Sequence, residues 1–206
     1  MLPNSILLIT LLLGTAGGLS TQEGISHGLP SHYQESDITW TGRIKEDGEP
    51  VSFTGADLQS IEAQIRATQP DFSWARAVDE PAAAAASSSS RTDADTDMLC
   101  QLPWNAPFAS VFHIRQGIAY LHKIHDNCIG GPGPGNCSRV SCSYNSAIFF
   151  CNDNPYAISV PCSSFGDRAW EIIEKCYAFG DFPTDSVQGQ VFDAAGWNVI
   201  VAGTIC

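Results

Sequence analysis

The chain has 206 residues, 44% hydrophobic and 10% aromatic, with 22 acidic against 10 basic side chains and a formal charge of −12. No basic footprint of the kind nucleic-acid binding requires is visible, and the same charge disfavours anionic lipid. The acidity is uneven: residues 1–99 carry 14 Asp and Glu against 5 Lys and Arg, and residues 100–206 carry 8 against 5.

Met1 to Ser20 has the form of a signal peptide. The apolar stretch Ile6–Leu13 is too short to span a bilayer, and the small residues Ala16, Gly17 and Gly18 follow it. The n-region lacks Lys and Arg. No later stretch is apolar enough for a membrane helix, so the expected product is secreted, extracellular, soluble and monomeric.

Residues 21–76 read as a small β-β-α unit. Ile38–Ile44 alternates apolar and polar residues, Pro50–Phe53 begins a second strand, and Asp47-Gly48 between them suits a hairpin turn. Thr54 precedes a helical stretch, Ala56–Ala67, with Leu58, Ile61 and Ile65 on one face. The unit is small enough to be either a pro-segment or a clip onto the rest. Residues 77–99, rich in Ala, Ser and Asp, show no periodic apolar face and read as a disordered linker. Arg76 and Arg91 are single basic residues where processing can occur. With no apolar face to dock the linker, residues 20–99 are expected to be dispensable for folding of residues 100–206.

All eight cysteines lie in residues 100–206: Cys100, Cys128, Cys137, Cys142, Cys151, Cys162, Cys176 and Cys206. An even number in one stretch of an exported chain reads as a disulfide framework, with roughly a hundred pairings open. No C-x₂-C pair is present, so zinc is not expected. Val111–Ile124 places Ile114, Ile118, Leu121 and Ile124 on one helical face. Phe165–Tyr177 does the same with Phe165, Ala169, Ile172, Ile173 and Cys176, with Ser163 or Ser164 as N-cap. Ser138–Cys142 and Ala147–Cys151 predict strands joined by the turn Ser143–Ser146. Ser186–Phe192 and Trp197–Ala202 predict a second pair joined through Asp193–Gly196. The predicted fold is α+β, a small disulfide-stapled two-layer sandwich with two amphipathic helices on one face of an antiparallel sheet.

Each candidate for chemistry has a plainer reading. His122 and His125 are spaced to share a helical face, but with His113 they supply no third metal ligand, and solvated helix ends are expected. Gly24-Ile25-Ser26-His27-Gly28 matches G-x-S-x-G without the strand and helix that a nucleophile elbow needs. Gly130-Gly131-Pro132-Gly133-Pro134-Gly135 looks like a phosphate cradle, but each proline removes an N–H donor; a rigid exposed recognition loop is expected instead. Asn136-Cys137-Ser138 is a formal glycosylation acceptor whose bridged cysteine argues against occupancy. Glu171, Glu174, Asp181 and Asp185 are carboxylates of the type glycosidases pair, here on the solvated side of a helix or beyond it. No catalytic residue, metal or cofactor is expected.

The order of helices and cysteines resembles the secreted fungal killer toxins of the KP-four type and the wider family around them. The landmarks are a helix ending at Cys128, the run Cys137-Ser138-Arg139-Val140-Ser141-Cys142, Asn145-Ser146-Ala147-Ile148, Cys162, and a helix ending at Cys176. Gly189-Gln190-Val191-Phe192, Asn198-Val199-Ile200 and the terminal Cys206 follow. The resemblance covers residues 100–206; the toxin pattern has two further cysteines and is basic. It implies the pairs Cys100–Cys176, Cys128–Cys162, Cys137–Cys151 and Cys142–Cys206. A hairpin centred between Tyr144 and Asn145 independently sets Cys137 near Cys151, within disulfide reach.

The resulting expectation is a toxin-like or effector protein that acts by binding a protein or membrane target on a competing or host cell, without catalysis. The resemblance implies a cation channel as one such target. The alternatives are a small secreted hydrolase or nuclease, and an extracellular wall or matrix protein.

Overall fold

The computed structural model describes residues 28–45, 47–74, 97–177 and 185–206, and the features read above at residues 1–27, 75–96, 46 and 178–184 lie outside them. The fold is α+β: the described residues form three helices and three sheets, held by four disulfides. No described helix is long and apolar enough to cross a membrane.

The front unit forms β1 (Gln34–Glu35), β2 (Ile38–Gly42), β3 (Val51–Gly55) and α1 (Leu58–Thr68). In β2 the period of two turns Ile38, Trp40 and Gly42 inward. The Thr39 and Thr41 hydroxyls face outward and meet Thr54 and Ser52 across the hairpin at 2.7 and 2.8 Å. The helix begins after Asp57, later than the sequence reading. The Asp57 carboxylate accepts from the Ser60 backbone N–H at 2.7 Å, and the Ser60 hydroxyl accepts from the Asp57 N–H at 3.2 Å. This reciprocal capping sets the start at Leu58.

The cysteine-bearing part forms β4 (Met98–Leu99), β5 (Ala109–Ser110), α2 (Val111–Leu121), β6 (Asn127–Gly130), β7 (Asn136–Ser143) and β8 (Ser146–Asn152). Then come β9 (Ile158–Pro161), α3 (Ser164–Cys176), β10 (Ser186–Val187), β11 (Gly189–Asp193) and β12 (Trp197–Gly203). A six-stranded sheet runs β1-β7-β8-β12-β11-β4, antiparallel except where β1 lies parallel to β7. A four-stranded antiparallel sheet runs β3-β2-β6-β9, and β10 pairs with β5.

Both faces of the large sheet are covered, as the unbroken burial of β8 and β12 demands. Ile148, Phe150, Val199 and Val201 share one cluster with the apolar stripes of α2 and α3. Ala147, Phe149, Cys151, Ile200 and Ala202 form a second cluster, capped by Leu102, Ala106 and the partly buried Leu29, Tyr33 and Trp104. The Trp104 indole N–H donates to the Gly28 carbonyl at 3.2 Å, tying two of these covering segments together.

The bridges join Cys100 to Cys176, Cys128 to Cys162, Cys137 to Cys151 and Cys142 to Cys206, the same pairs that the resemblance implies. Cys137 stands directly opposite Cys151 in the β7–β8 register.

The front unit is not a passive attachment, and the expectation that it is dispensable does not fit its packing. β2 lies between β3 and β6, with Trp40 opposite Cys128, so each half of the chain supplies two strands of the smaller sheet. Ile38, Trp40, Leu58, Ile61 and Ile65 are fully buried in the same cluster as Ile118, Leu121, Phe150 and Val160. A two-stranded hairpin and one helix cannot bury those side chains alone; the edge of β6 and the cysteine-bearing core let them do so.

Candidate binding surface

Four segments converge at the end of the molecule nearest the Cys142–Cys206 bridge. The Ser110 N–H donates to the Ser146 hydroxyl at 3.0 Å, joining the start of α2 to the β7–β8 turn. The Thr204 N–H donates to the Asn145 carbonyl at 3.1 Å and the Gly203 N–H to the Pro107 carbonyl at 2.6 Å. The Arg139 guanidinium, paired with Glu35 at 3.4 Å, donates to the Ile205 carbonyl at 3.1 Å. This framework holds four apolar or aromatic side chains in solvent: Phe108 at 37% exposure, Phe112 at 62%, Tyr144 at 79% and Ile205 at 58%.

Tyr144 is the distinctive member. It and Asn145 form a two-residue hairpin loop with φ of 46° and 57°, the left-handed pair that the twist of a tight hairpin favours. Asn tolerates that region; a bulky aromatic residue rarely occupies it, at a cost of roughly 1–2 kcal/mol. The ring stacks on His113 at 4.5 Å between centroids and 16° between planes, and Phe112 meets His113 edge-on at 5.2 Å. The His113 Nδ1 contacts the Gln116 side-chain oxygen at 3.1 Å. Sequence reading singled out His113 for chemistry and passed over Tyr144, whose only local signal is its place beside Asn145 in the turn.

The other residues singled out in the sequence have structural partners or stand alone. His122 Nε2 meets Asp167 at 3.0 Å, bridging α2 to α3. His125 is exposed. Among the described residues no cluster of His, Cys, Asp or Glu is arranged to hold a metal. Glu171 pairs with Arg168 within α3, while Asp193 pairs with Arg168 across to β11 and the Arg168 guanidinium lies over the Trp197 ring of β12 at 5.9 Å, so Arg168 ties α3 to β11 and β12. Glu174 is exposed; Asp185 accepts from the Tyr177 hydroxyl at 3.2 Å; Asp181 lies outside the described residues. Residues 24–27 of the G-x-S-x-G match also lie outside, and Gly28 sits over Phe149 and Ala202.

The Gly130–Gly135 segment differs from the exposed loop expected. Only Pro132 and Pro134 are exposed. The Gly133 N–H donates to the Asn154 carbonyl at 2.7 Å, the Gly135 N–H to Asp153 at 3.0 Å, and the Asn152 amide to the Gly131 carbonyl at 2.8 Å. Those bonds press the loop onto the 152–154 turn, since buried backbone groups require partners. Asn136 lies half-buried in β7, and its side-chain oxygen accepts from the Ser36 hydroxyl at 2.5 Å.

Two polar clusters escaped the sequence reading because their members are far apart in the chain. Tyr33 and Asn198 donate to Asp153 at 3.3 and 2.7 Å, and Gln190 donates to Asn198 at 3.0 Å. Burial, then the Asp153 charge, raises the Tyr33 pKa, so the phenol stays protonated and pins the segment before β1. Trp74 donates to both Glu62 and Tyr120, at 3.0 and 3.1 Å, locking the front unit to α2. Burial, then Glu62, pushes Tyr120 far above its ordinary value. Both clusters join segments and present no nucleophile beside a base.

Asp126, between α2 and β6, carries a testable charge. Burial raises its pKa, partly offset by His125 and Arg43. A carboxyl raised by folding favours the native state below its ordinary range and loses that contribution as pH rises through the shifted value. Asp126→Asn is therefore expected to melt higher than the parent at pH 7, with the difference fading as pH falls to about 3.5. Equal melting temperatures at pH 7 would refute the assignment.

No family model, curated protein or solved structure matches the chain.

Proposed function

We propose that this is a secreted toxin-like or effector protein that acts by binding a protein or membrane target on a competing or host cell, without catalysis. The reading rests chiefly on Tyr144, a bulky ring held in left-handed backbone at an exposed hairpin tip. Residues kept in sparsely populated conformations cluster at functional sites, and exposed aromatic groups surrounded by apolar neighbours suit a docking surface. The signal-like start, the four bridges and the resemblance to the KP-four toxins support secretion and fit a cation channel as target. A two-layer core, with α2 and α3 against the large sheet, serves as the rigid scaffold behind the tip.

Tyr144→Gly separates stability from binding. Glycine relieves the left-handed strain, so the variant is expected to melt at or above the parent's temperature. Binding of the labelled protein to sensitive or host cells is expected to fall at least about tenfold, as for an interface anchor. Unchanged cell binding and growth inhibition would sink the assignment. A loss of roughly a hundredfold or more from His122→Ala or Glu171→Gln, with folding intact, would move the protein to the enzymes.

A further inference from the structure

We infer that residues 28–74 are a non-covalent subunit: residues 97–206 present an acceptor surface for them, and the two parts stay together when the chain between them is cut. All four bridges lie within residues 100–206 and none reaches the front unit. The acceptor surface has three parts. The edge of β6 takes β2 in register, from Ile38 opposite Gly130 to Thr41 opposite Asn127. The apolar core around α2 and β7 receives Trp40, Leu58, Ile61 and Ile65, all fully buried. Polar keys fix the orientation: Trp74 to Tyr120 at 3.1 Å, the Ser138 hydroxyl to the Asp37 carbonyl at 3.2 Å, and the Ser36 N–H to the Cys137 carbonyl at 2.7 Å.

This combination is that of an obligate interface, an apolar centre with hydrogen bonds at its margin. Strand addition to the β6 edge supplies main-chain bonds, and the alternate residues Ile38 and Trp40 supply the anchors. Residues 75–96 form the only covalent link and carry Arg76 and Arg91, the single basic residues where processing can occur. A cut there therefore yields a two-chain protein and does not release a pro-segment. The inference is independent of the role assigned to Tyr144.

The test uses the full chain with Ala82–Ala86 replaced by a site-specific protease sequence. The folded, oxidised protein is cut and examined by native mass spectrometry and size exclusion at about 10 μM. The expected result is one particle containing both chains. The same cut in a Trp40→Ala protein should leave the chains at least roughly thirtyfold more weakly associated, as expected for loss of a buried aromatic anchor. Separation of the wild-type chains, or their aggregation on cutting, overturns the inference.

Discussion

A chain that begins at Asp97 is expected to fail to fold cooperatively, even with all eight cysteines present. Removing the front unit strips Ile38, Trp40, Leu58, Ile61 and Ile65 from the core. It also leaves the edge of β6 unpaired on its β2 side. Each fully buried side chain of this size contributes about 1.5–3 kcal/mol, so five of them rival the roughly 5–15 kcal/mol that separates folded from unfolded domains. The cavity left behind adds to the loss. The disulfides restrict the unfolded chain but cannot replace buried surface. Thermal denaturation by near-ultraviolet circular dichroism, together with size exclusion, measures this directly. A monomeric product with a single sharp transition and four correct bridges would show that the front unit is dispensable after all.

Gly133→Ala is the second large effect. A Cβ at this position would collide with the Asn152 carbonyl oxygen and lie 3.1 Å from that of Asn154, both backbone atoms. A backbone obstacle cannot rotate aside, so the loop must lift off the 152–154 turn. That movement breaks the hydrogen bond from the Gly133 N–H to Asn154 and strains those from Gly135 and to Gly131. Overpacking costs about 1–3 kcal/mol, and a lost buried hydrogen bond about 1 kcal/mol more. The urea midpoint should fall accordingly with an unchanged m-value. Pro132→Ala, at the exposed neighbour, should stay within about 0.5 kcal/mol of the parent. Equal behaviour of the two variants would restore the reading of this segment as a free surface loop.

Local structure is readable from the chain alone. The 3.6-residue stripes of Val111–Ile124 and Phe165–Tyr177 anticipate α2 and α3, because a helix shows its buried face within a few turns. The alternating or continuous apolar runs around Cys142, Cys151 and Val199 anticipate β7, β8 and β12. The front hairpin and helix are legible for the same reason, although the capping partner Ser60 places the helix start after Asp57. Cysteine number and placement indicate a stapled framework before any pair is known.

Everything that depends on distant partners was set by the assembled fold. β6 and β9 are four residues each, NCIG and ISVP, too short to show a period; they are strands because β2 pairs with β6 and β6 with β9. Whether the front unit was an appendage or a share of the core depended on Trp40 meeting Cys128 across β2 and β6, 88 positions apart in the chain. The Gly130–Gly135 segment reads as exposed because glycine and proline are common in surface turns. Its burial arises from backbone contacts with residues 152–154, which leave no mark on its own composition. Tyr144 gained its significance in the same way: sequence predicts a turn there, but only the fold stacks its ring on His113, against which Phe112 also packs edge-on. Secondary structure follows patterns within a few residues, whereas burial and surface shape follow which segments meet in space.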